Sequence, residues 1–500
     1  AGMSRAAAAW WRNWRPRLAR LEGWAFLLPL ALYWRTLAPT VYNLDSAELT
    51  VAAATGGITR ATGYPLYLII GGLWSRLPLG DVGYRLNLLS AVCGVVALLL
   101  ADRLLRRDGV SRTARYGALG LLAVAPFYWS LSLVAEVYTL HVALMAGLLL
   151  LLRGWAEKPT PARLGLAVLW MGLSMGNHVT MVLLAPGCLW YVLTTAPREA
   201  LRPRALLLAG GGLLLGVCVY GYVPWRFGRM PAFNYAGSYD SQAIFHPINL
   251  RTLDGLWWLV SGKQFSSLLF TYTAAELLTE VSRFINQLWQ AFLIIGIGPG
   301  LLGLVVTLRR DWRWGGALLL MFLANVIFYV NYRVLDKATM FLPAYFIWAL
   351  WLAVGYQWLL RWAAAGEQGR ANGWLLRGII AAAVLVGLFV TWPRVDLSTD
   401  WSARERGEQI LAQVEENALI VGWWDTIPLV EYLQLVENQR PDVQAINRFL
   451  IDRASLNQLI YAQSGQRPVY INEPIIALRA AFEFVPVGPL YAVRPRQEAP

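Results

Sequence analysis

The chain has 500 residues, of which 57% are hydrophobic and 15% charged, and its mean hydropathy is +0.46. Soluble globular domains carry charge on about a quarter of their residues, so this composition excludes them and indicates a polytopic α-helical membrane protein. The net charge of +13 does not indicate a nucleic-acid-binding protein, because Arg and Lys are concentrated in every second loop between apolar runs, as the positive-inside rule requires.

The N-terminus predicts an uncleaved anchor that enters the membrane from the cytoplasmic side. Its first apolar run lacks a small-residue cleavage pattern and follows five arginines, Arg5, Arg12, Arg15, Arg17 and Arg20. From there the apolar runs predict about eleven transmembrane helices, at residues 24–41, 84–105, 114–131, 135–153, 163–177, 179–195, 205–225, 281–308, 315–332, 338–360 and 374–392. This count places the C-terminus outside the cytoplasm.

The apolar segment 64–77 is the one such run that we do not expect to cross the membrane. A helix of about 14 residues reaches about 21 Å, whereas the hydrocarbon core is about 30 Å thick. If the segment crossed, Arg106 and Arg107 would face outward. We therefore predict an interfacial or re-entrant helix within a first outer loop of residues 42–83.

Two larger segments are predicted on the outer face. The first is the loop 226–280, which is rich in Tyr, Trp and Gly. The second is the segment 393–500, whose composition changes to that of a soluble protein. Helix-like patterns at 404–416 and 428–436 alternate there with strand-like patterns at 418–424, 443–448 and 468–472. This order predicts a small extracytoplasmic α/β domain after a transmembrane domain of residues 1–392.

The first outer loop carries Asp45 and Glu48, two acids that the orientation of the helices does not require. At spacing i and i+3 both side chains lie on one helix face and can point into a common cavity. Proximity of like charges raises the pKa of one carboxyl, which suits it to accept a proton. The alternative is that Asp45 or Ser46 caps the helix and that both acids are solvated.

Further polar residues lie at the predicted outer ends of the helices. Arg60, Arg85 and Asn87 flank the interfacial helix and are candidates for binding a phosphate, although Arg85 can instead snorkel to the membrane surface. Glu136 begins the fourth predicted span at the level of the acidic loop. It is a candidate site residue, with a solvated carboxylate as the alternative.

Several outward cations break the positive-inside pattern late in the chain. Arg226 and Arg229 begin the large outer loop, and Arg333 and Lys337 flank Asp336 at the start of the tenth span. Such cations can hold a lipid-linked phosphate by charge-assisted hydrogen bonds. The alternative is that they pair with Asp336 or with anionic headgroups.

The sequence gives little support for a transition-metal site. The chain has three His, of which His178 lies in an outward turn, and its three Cys fall within apolar runs, so no ligand-spaced cluster for zinc exists. A divalent cation bound by the carboxylates of Asp45, Glu48 or Glu136 stays open as an alternative.

Five short motifs together give a more specific indication. They are YNLDSAE at 42–48, GYPLY at 63–67, RLNLLSA at 85–91, EVYTL at 136–140 and GNH at 176–178. In this order they resemble the bacterial relatives of the animal transmembrane O-mannosyltransferase that modifies IPT domains of receptors. The resemblance extends to residues 231–235 and 336–343 and so covers most of the chain.

That family belongs to the GT-C glycosyltransferases, and the resemblance implies their fold: a multi-span helical core, an acidic first outer loop with juxtamembrane helices, and a soluble outer domain. This chain departs from the family at one place. His-Pro commonly precedes Gly-Tyr-Pro there, whereas this sequence has Arg60-Ala61-Thr62. A role of that His is therefore not transferable, although Arg60 stays a candidate phosphate ligand.

The resemblance also implies an inverting sugar transfer on the outer side of the plasma (inner) membrane. A polyprenyl-phosphate sugar, with mannose or another hexose, is the implied donor, and a hydroxyl of a protein Ser or Thr or of a glycan is the implied acceptor. Asp45 would be the general base and Glu48 would position it or the acceptor. The implied donor- and substrate-binding residues are Arg60, Tyr64, Arg85, Asn87, Glu136, Tyr138, His178, Arg226, Arg333, Asp336 and Lys337.

Two other classes of protein remain as alternatives. A transporter or flippase of lipid-linked sugar predicts ionisable residues or broken helices near mid-membrane, whereas the charges of this chain gather at the outer ends of the helices. A non-catalytic assembly or receptor protein, with the outer α/β domain as its binding module, is the third hypothesis.

Overall fold

In the computed structural model the described residues are 25–334, 337–365 and 368–496. The basic residues before the first apolar run lie outside them. The α-helices are α1 (Leu27–Thr36), α2 (Asp45–Thr55), α3 (Pro65–Trp74), α4 (Val82–Arg107), α5 (Arg112–Ala123), α6 (Pro126–Leu131), α7 (Tyr138–Glu157), α8 (Pro161–Met175), α9 (Ala185–Thr195), α10 (Pro197–Ala200), α11 (Pro203–Val217), α12 (Tyr222–Phe227), α13 (Leu253–Val260), α14 (Ala274–Ala291), α15 (Ile297–Arg310), α16 (Trp312–Val330), α17 (Leu342–Ala364), α18 (Gly369–Val395), α19 (Ser402–Gln413), α20 (Ile427–Leu435) and α21 (Arg453–Gln463).

The strands are β1 (Gly237–Tyr239), β2 (Phe245–Pro247), β3 (Leu419–Gly422), β4 (Gln444–Asn447), β5 (Val469–Ile471), β6 (Phe482–Val487) and β7 (Leu490–Pro495). Short 3-10 helices occur at Val179–Leu184, Cys218–Gly221, Lys263–Leu268, Lys337–Phe341, Arg448–Leu450 and Ile476–Leu478. The described part of the chain is therefore mostly helical up to residue 395 and mixed after it.

Six helical segments of the described chain are long and apolar enough to cross a membrane: Val82–Arg107, Tyr138–Glu157, Pro203–Phe227, Trp312–Val330, Lys337–Ala364 and Gly369–Val395. Three further apolar helices are shorter, at Pro65–Trp74, Pro161–Met175 and Val179–Thr195. The predicted class, a multi-pass helical membrane protein, is confirmed. The prediction of about eleven spans is not confirmed, because six helices of the described residues have this length.

The predicted span 281–308 is wrong as a single helix. α14 ends at Ala291, Leu293 and Ile294 adopt positive φ of 54° and 62°, and α15 begins only at Ile297. Successive left-handed residues end an α-helix, since L-residues pay a steric cost there. Before the break, polar residues recur every three or four positions, at Glu276, Glu280, Arg283 and Gln287. That spacing is typical of an amphipathic helix that lies along a surface rather than through a membrane.

The helix that follows the two acids within the first loop is short, as predicted. α3 has 10 residues, which corresponds to about 15 Å of helix. Its neighbour α2 is almost completely buried. The backbone N–H of Leu66 at the start of α3 donates to the carbonyl of Gly176 at 2.9 Å. Both short helices therefore pack against the helical core as part of the first loop.

Helices α15 and α17 pack backbone against backbone through glycine. A Cβ on Gly303 would lie 1.7 Å from the carbonyl oxygen of Trp351, and one on Gly355 would lie 1.9 Å from that of Pro299. Small residues allow such close approach between membrane helices, where van der Waals contact replaces the hydrophobic effect as the main attraction. This contact fixes α17, whose preceding 3-10 turn carries Lys337.

The C-terminal region contains a five-stranded sheet in the order β4-β3-β5-β7-β6. β3 is parallel to β4 and β5, whereas β7 is antiparallel to β5 and β6. β3 is buried along its whole length, as expected for a strand covered on both faces. The alternating helix-like and strand-like patterns of this region correspond to α19, β3, α20, β4 and β5.

The C-terminal region is anchored on the first loop of the chain. α20 packs against α2, and the hydroxyl of Tyr432 accepts from the backbone N–H of Gly83 at 3.3 Å. Arg404 lies 3.6 Å from Asp81, which caps α4. This contact brings residues from opposite ends of the sequence around the helix that begins with Asp45.

Candidate functional site

The two acids of the first loop lie in the first turn of α2, which begins at Asp45. The side chain of Glu48 is 0% exposed and that of Asp45 is 20% exposed. Neither carboxylate caps the helix, because Leu44 occupies the N-cap position and no side-chain capping hydrogen bond is formed there. The burial of Glu48 contradicts the alternative that both acids are merely solvated.

Arg60 joins the two acids. One guanidinium nitrogen forms an ion pair with Asp45 and the other with Glu48, and the backbone N–H of Arg60 donates to Glu48 Oε1 at 3.0 Å. Burial raises the pKa of Glu48, and the charge of Arg60 opposes that rise. Contact of Arg60 with a phosphate stays a prediction; in this structure its guanidinium is bound by the carboxylates of Asp45 and Glu48.

A cavity of about 720 Å³ opens beside this ion-pair cluster. Asp45 and Arg60 line it, whereas Glu48 lies behind them. Its wall also contains residues from α14, from the 3-10 turn before α17, from the loop 226–280 and from the C-terminal region. The predicted residues among its lining are Asp45, Arg60, Tyr64, Tyr138, His178, Arg333 and Lys337. The cavity thus assembles residues that are far apart in the sequence.

A second polar group, which is rich in cations, lines the same cavity through Glu280, Arg283, Arg333 and Lys337. The buried Lys337 lies 2.5 Å from Glu280 and donates to the hydroxyl of Tyr272 at 2.9 Å. Arg283 also pairs with Glu280. Arg333 pairs with Glu276 at 2.9 Å and stacks over the ring of Tyr272 at 4.4 Å. Three cations and two acids therefore form this group.

Two of these cations, Arg333 and Lys337, are candidates that the sequence predicts, whereas Arg283 is missed. Arg283 falls inside the wrongly predicted span 281–308, where a lone Arg gives no sign of a site. The repeat of polar residues along α14 was the available signal. Asp336 lies outside the described residues.

His178 contributes to an aromatic part of the cavity wall. Its ring lies 5.7 Å from that of Tyr64 and 6.0 Å from that of Tyr138. Its Nδ1 accepts from the backbone N–H of Thr180 at 3.3 Å. Burial and the charge of Arg60 lower the pKa of His178 to about 4. The imidazole is therefore neutral near pH 7 and offers a dipole rather than a cation to a ligand.

Arg85 and Asn87, which the sequence predicts as phosphate-binding residues, do not line the cavity. The guanidinium of Arg85 donates to three backbone carbonyls within residues 75–80. The buried amide of Asn87 donates to the carbonyls of residues 38 and 40 and accepts from the N–H of residue 135. Buried backbone groups require such partners, so both side chains fix the course of the first loop.

Arg226 and Glu136 also lie outside the cavity lining. Arg226 donates to the carbonyl of Thr55 at 3.0 Å and to that of Gly56, which satisfies carbonyls that the C-terminus of α2 leaves without partners. The carboxylate of Glu136 accepts from the backbone N–H of Val137 at 3.3 Å. Both therefore stay predictions as substrate-binding residues: in this structure Arg226 holds the helix that carries the two acids, and Glu136 accepts a hydrogen bond just before α7.

A third carboxyl, Glu431, approaches the acid pair from α20 and is missed by sequence reasoning. The hydroxyl of Tyr235 donates to it, and the amide of Asn447 donates to that hydroxyl at 3.4 Å. Burial raises the pKa of Glu431 to about 8; Tyr235 opposes the rise and the charge of Glu48 adds to it. Glu431 is 383 residues away from Glu48 in sequence, and no local pattern marks it.

Glu431→Gln is expected to make the protein more resistant to unfolding above pH 5. The folded state holds a proton on Glu431 up to about pH 8, whereas the unfolded chain loses it near pH 4.3. Stability therefore falls as pH rises through this window, by up to about 1.4 kcal/mol per pH unit for one proton. Gln cannot ionise, so melting curves in detergent should separate from wild type between pH 5 and 8.

The exposed Glu483→Gln is the matched control for the melting experiment, because it makes the same change of charge on β6. Its melting temperature should run parallel to that of wild type across the pH range. Parallel curves for Glu431→Gln as well would show that Glu431 is not protonated preferentially in the folded state.

Among the described residues no group of three or more His, Cys, Asp or Glu side chains is arranged to hold a metal ion. The three carboxyls near Arg60 are bound by Arg60 and Tyr235. Arg60 supplies the positive charge between Asp45 and Glu48.

Nearly the whole chain resembles a solved structure in fold. ArnT from Cupriavidus metallidurans matches with a TM-score of 0.57 in its complex with undecaprenyl phosphate and 0.58 in the apo state. The matches cover 94% and 97% of this chain and 97% and 98% of the ArnT chains, at 12% sequence identity. The chain therefore shares the fold of ArnT.

The sequence comparisons define the relationship more narrowly. Residues 45–201 match the family described as Protein O-mannosyl-transferase TMEM260 N-terminal domain. Protein O-mannosyl-transferase TMEM260 of Mus musculus is 30% identical over 218 residues, and that of Dictyostelium discoideum is 21% identical over 470 residues. These matches cover 42% and 84% of this chain but only 31% and 56% of the relatives. The predicted resemblance to the TMEM260 proteins is therefore confirmed, for a chain that spans less than two thirds of the length of these two relatives.

Proposed function

We propose that this chain is a membrane glycosyltransferase that moves a hexose, such as mannose, from a polyprenyl phosphate to a hydroxyl acceptor. The acceptor is a Ser or Thr of a protein, and the reaction takes place on the extracytoplasmic side with inversion. One observation carries the proposal: a carboxylate, Asp45, and three cations, Arg283, Arg333 and Lys337, line one cavity. A proton acceptor and a phosphate-binding group are the two requirements of this reaction.

Asp45 is the proposed general base because it reaches the cavity while Glu48 does not. It would take the proton of the acceptor hydroxyl as that oxygen attacks the anomeric carbon. The bond from this carbon to the phosphate oxygen breaks with its electron pair, and the lipid leaves as a phosphate. Attack from the face opposite the leaving group inverts the configuration. General base catalysis of this kind typically contributes about 10² to 10⁴ in rate.

The cations meet the second requirement of the reaction, which is a group that binds the leaving phosphate. A phosphate is a good leaving group without a proton when cations neutralise its charge, so no general acid is required. In this structure the three cations form ion pairs with two acids: Arg333 with Glu276, and Lys337 and Arg283 with Glu280. A bound phosphate offers them further oxygens at the cavity wall, with stronger charge-assisted hydrogen bonds than a neutral ligand could form.

The structure of α14 supports a lipid donor. Arg283 and Phe284 line the cavity, whereas Leu278, Ile285 and Trp289 on the same helix are exposed. An amphipathic helix of this kind suits a membrane interface, where its apolar side contacts acyl chains. A lipid could thus keep its tail beside α14 while its phosphate enters the cavity. The similarity in fold to ArnT, which was solved with undecaprenyl phosphate, supports the same donor class.

The proposed function is tested by measuring the transfer of a sugar to peptides directly. Purified protein in lipid nanodiscs receives polyprenyl-phosphate mannose, or the glucose equivalent, with a library of Ser- and Thr-containing peptides, and glycopeptides are detected by mass spectrometry. We expect a mass gain of one hexose at a hydroxyl, with inverted anomeric configuration. Mass spectrometry of extracytoplasmic proteins from cells with and without this chain should identify the natural acceptor. If the lipid donor moves across the membrane of vesicles and no sugar is transferred to a peptide, the result would instead support the flippase hypothesis.

A further inference from the structure

Trp424 lies between the C-terminal region and the ion pairs of the first loop. It follows β3 and lines the cavity. The guanidinium carbon of Arg60 lies 4.6 Å from the centroid of its ring. A cation within about 6 Å of an aromatic face is attracted by it, and Trp is the most favourable of the aromatic residues. Arg60 therefore has two carboxylates as ligands and an indole against its face.

The indole is itself held in place. The ring of Tyr235 packs edge-on against it at 5.3 Å, and that of Phe449 does so at 5.1 Å. Tyr235 is fixed in turn by its hydrogen bonds with Glu431 and Asn447. Its backbone N–H also donates to the carbonyl of Ile58 at 2.9 Å, two residues before Arg60. The indole cannot leave Arg60 without breaking these contacts.

We propose that Trp424 is a positioning residue that holds the guanidinium of Arg60 between Asp45 and Glu48, so that the C-terminal region completes the active site. The inference rests on the proposed function. Arg has many rotamers, and fixing them costs conformational entropy. An indole against its face restricts Arg60 to the rotamer that meets both acids.

The placement of Arg60 bears on the pH dependence of the reaction. Arg60 opposes the protonation of Glu48, so a displaced guanidinium lets the buried cluster take up a proton at higher pH. The titratable groups that face Glu48 come from several elements and are Asp45, Arg60, Tyr64, Tyr235 and Glu431. Arg60 is the one cation among them. The acid limb of the pH–rate profile should therefore shift to higher pH when the guanidinium of Arg60 is displaced.

The first experiment compares Trp424→Leu with Trp424→Phe in the transfer assay. Leu removes the aromatic face, whereas Phe keeps a ring against the guanidinium. A cation–π contact of about 1 to 2 kcal/mol corresponds to about a 5- to 30-fold loss of kcat in Trp424→Leu. We expect this loss with little change in the KM for donor, and a shift of the acid limb to higher pH. Trp424→Phe should restore most of the rate and the wild-type pH profile.

The neighbouring Trp423 provides the matched control. Its indole donates to Glu473 at 3.1 Å and stacks with Arg448 at 4.5 Å, away from Arg60. Trp423→Leu should keep the kcat and the pH profile of wild type. If Trp424→Leu matches Trp423→Leu in both, Trp424 does not position Arg60.

A second readout does not need sugar transfer. Phenylglyoxal modifies accessible Arg side chains, and peptide mass spectrometry reports modification at Arg60. We expect protection of Arg60 in wild type and in Trp424→Phe, and several-fold faster modification in Trp424→Leu. Equal protection in all three variants overturns the inference. Absence of transfer by wild type, with the expected pattern at Arg60, would instead reject the proposed reaction while supporting the placement of Arg60.

Discussion

Asp45→Asn should lower kcat by about 10² to 10⁴ while the melting temperature stays close to that of wild type. Asn has nearly the same volume as Asp, and its carbonyl oxygen can still accept from Arg60. It cannot take a proton from the acceptor hydroxyl, however. Because Asp45 is one-fifth exposed at the cavity wall, losing its charge should disturb packing little. The measurement is single-turnover transfer in nanodiscs with a saturating concentration of donor.

Glu48→Gln is the matched control for Asp45→Asn, since it neutralises the other acid of the same helical turn. Glu48 is fully buried and receives both the guanidinium and the backbone N–H of Arg60. We expect a lower melting temperature and a smaller loss of kcat than in Asp45→Asn, because removing one partner leaves a buried charge less well compensated. Turnover near the wild-type rate in Asp45→Asn would mean that another group is the base.

The acid pair was predictable because its geometry is local. Asp45 and Glu48 share one helical turn, and a short apolar segment after them cannot span the membrane. The sequence therefore indicates which residues belong to one loop and which helix face they share. It does not indicate what neutralises them. Arg60 binds both acids because the loop folds back on α2, which depends on tertiary contacts.

Arg85, Asn87 and Arg226 show why polar residues near a predicted site are a weak indicator. Their partners are backbone carbonyls or N–H groups, and every loop contains such groups. Whether a particular carbonyl lacks a partner is decided by where helices end, and helix ends are the least certain feature of sequence reasoning. The same uncertainty concealed Arg283, because the break at residues 292–296 separates α14 from α15.

The contribution of the C-terminal region to the candidate site was the feature least predictable from the sequence. The alternating pattern of helices and strands was visible, because each element is defined by local periodicity. Trp424 and Glu431 reach the acid cluster only because α20 packs on α2. Contacts across more than 350 residues leave no mark in a single sequence. The way in which the C-terminal region meets the first loop is determined by the folding of the polypeptide between these two regions.

Lys337→Met should reduce kcat/KM by about 10² to 10³, the usual effect of removing one group that stabilises a developing charge. Met keeps an unbranched apolar stem of similar length, so the buried position stays filled. Glu280 would retain Arg283 as a partner, which limits the loss of stability. We expect the KM for the polyprenyl-phosphate donor to rise and kcat to fall, because Lys337 is proposed to bind the phosphate both before and during bond cleavage.

Two comparisons make the Lys337 experiment decisive. Lys158→Met removes a charge from the exposed loop between α7 and α8 and should leave donor kinetics unchanged. Lys337→Arg keeps the charge but changes its shape, and it should recover part of the donor affinity. A loss of rate in Lys337→Met with an unchanged KM for donor and a lower melting temperature would indicate that Lys337 serves only to neutralise Glu280. In that case Arg283 and Arg333 would have to hold the leaving phosphate between them.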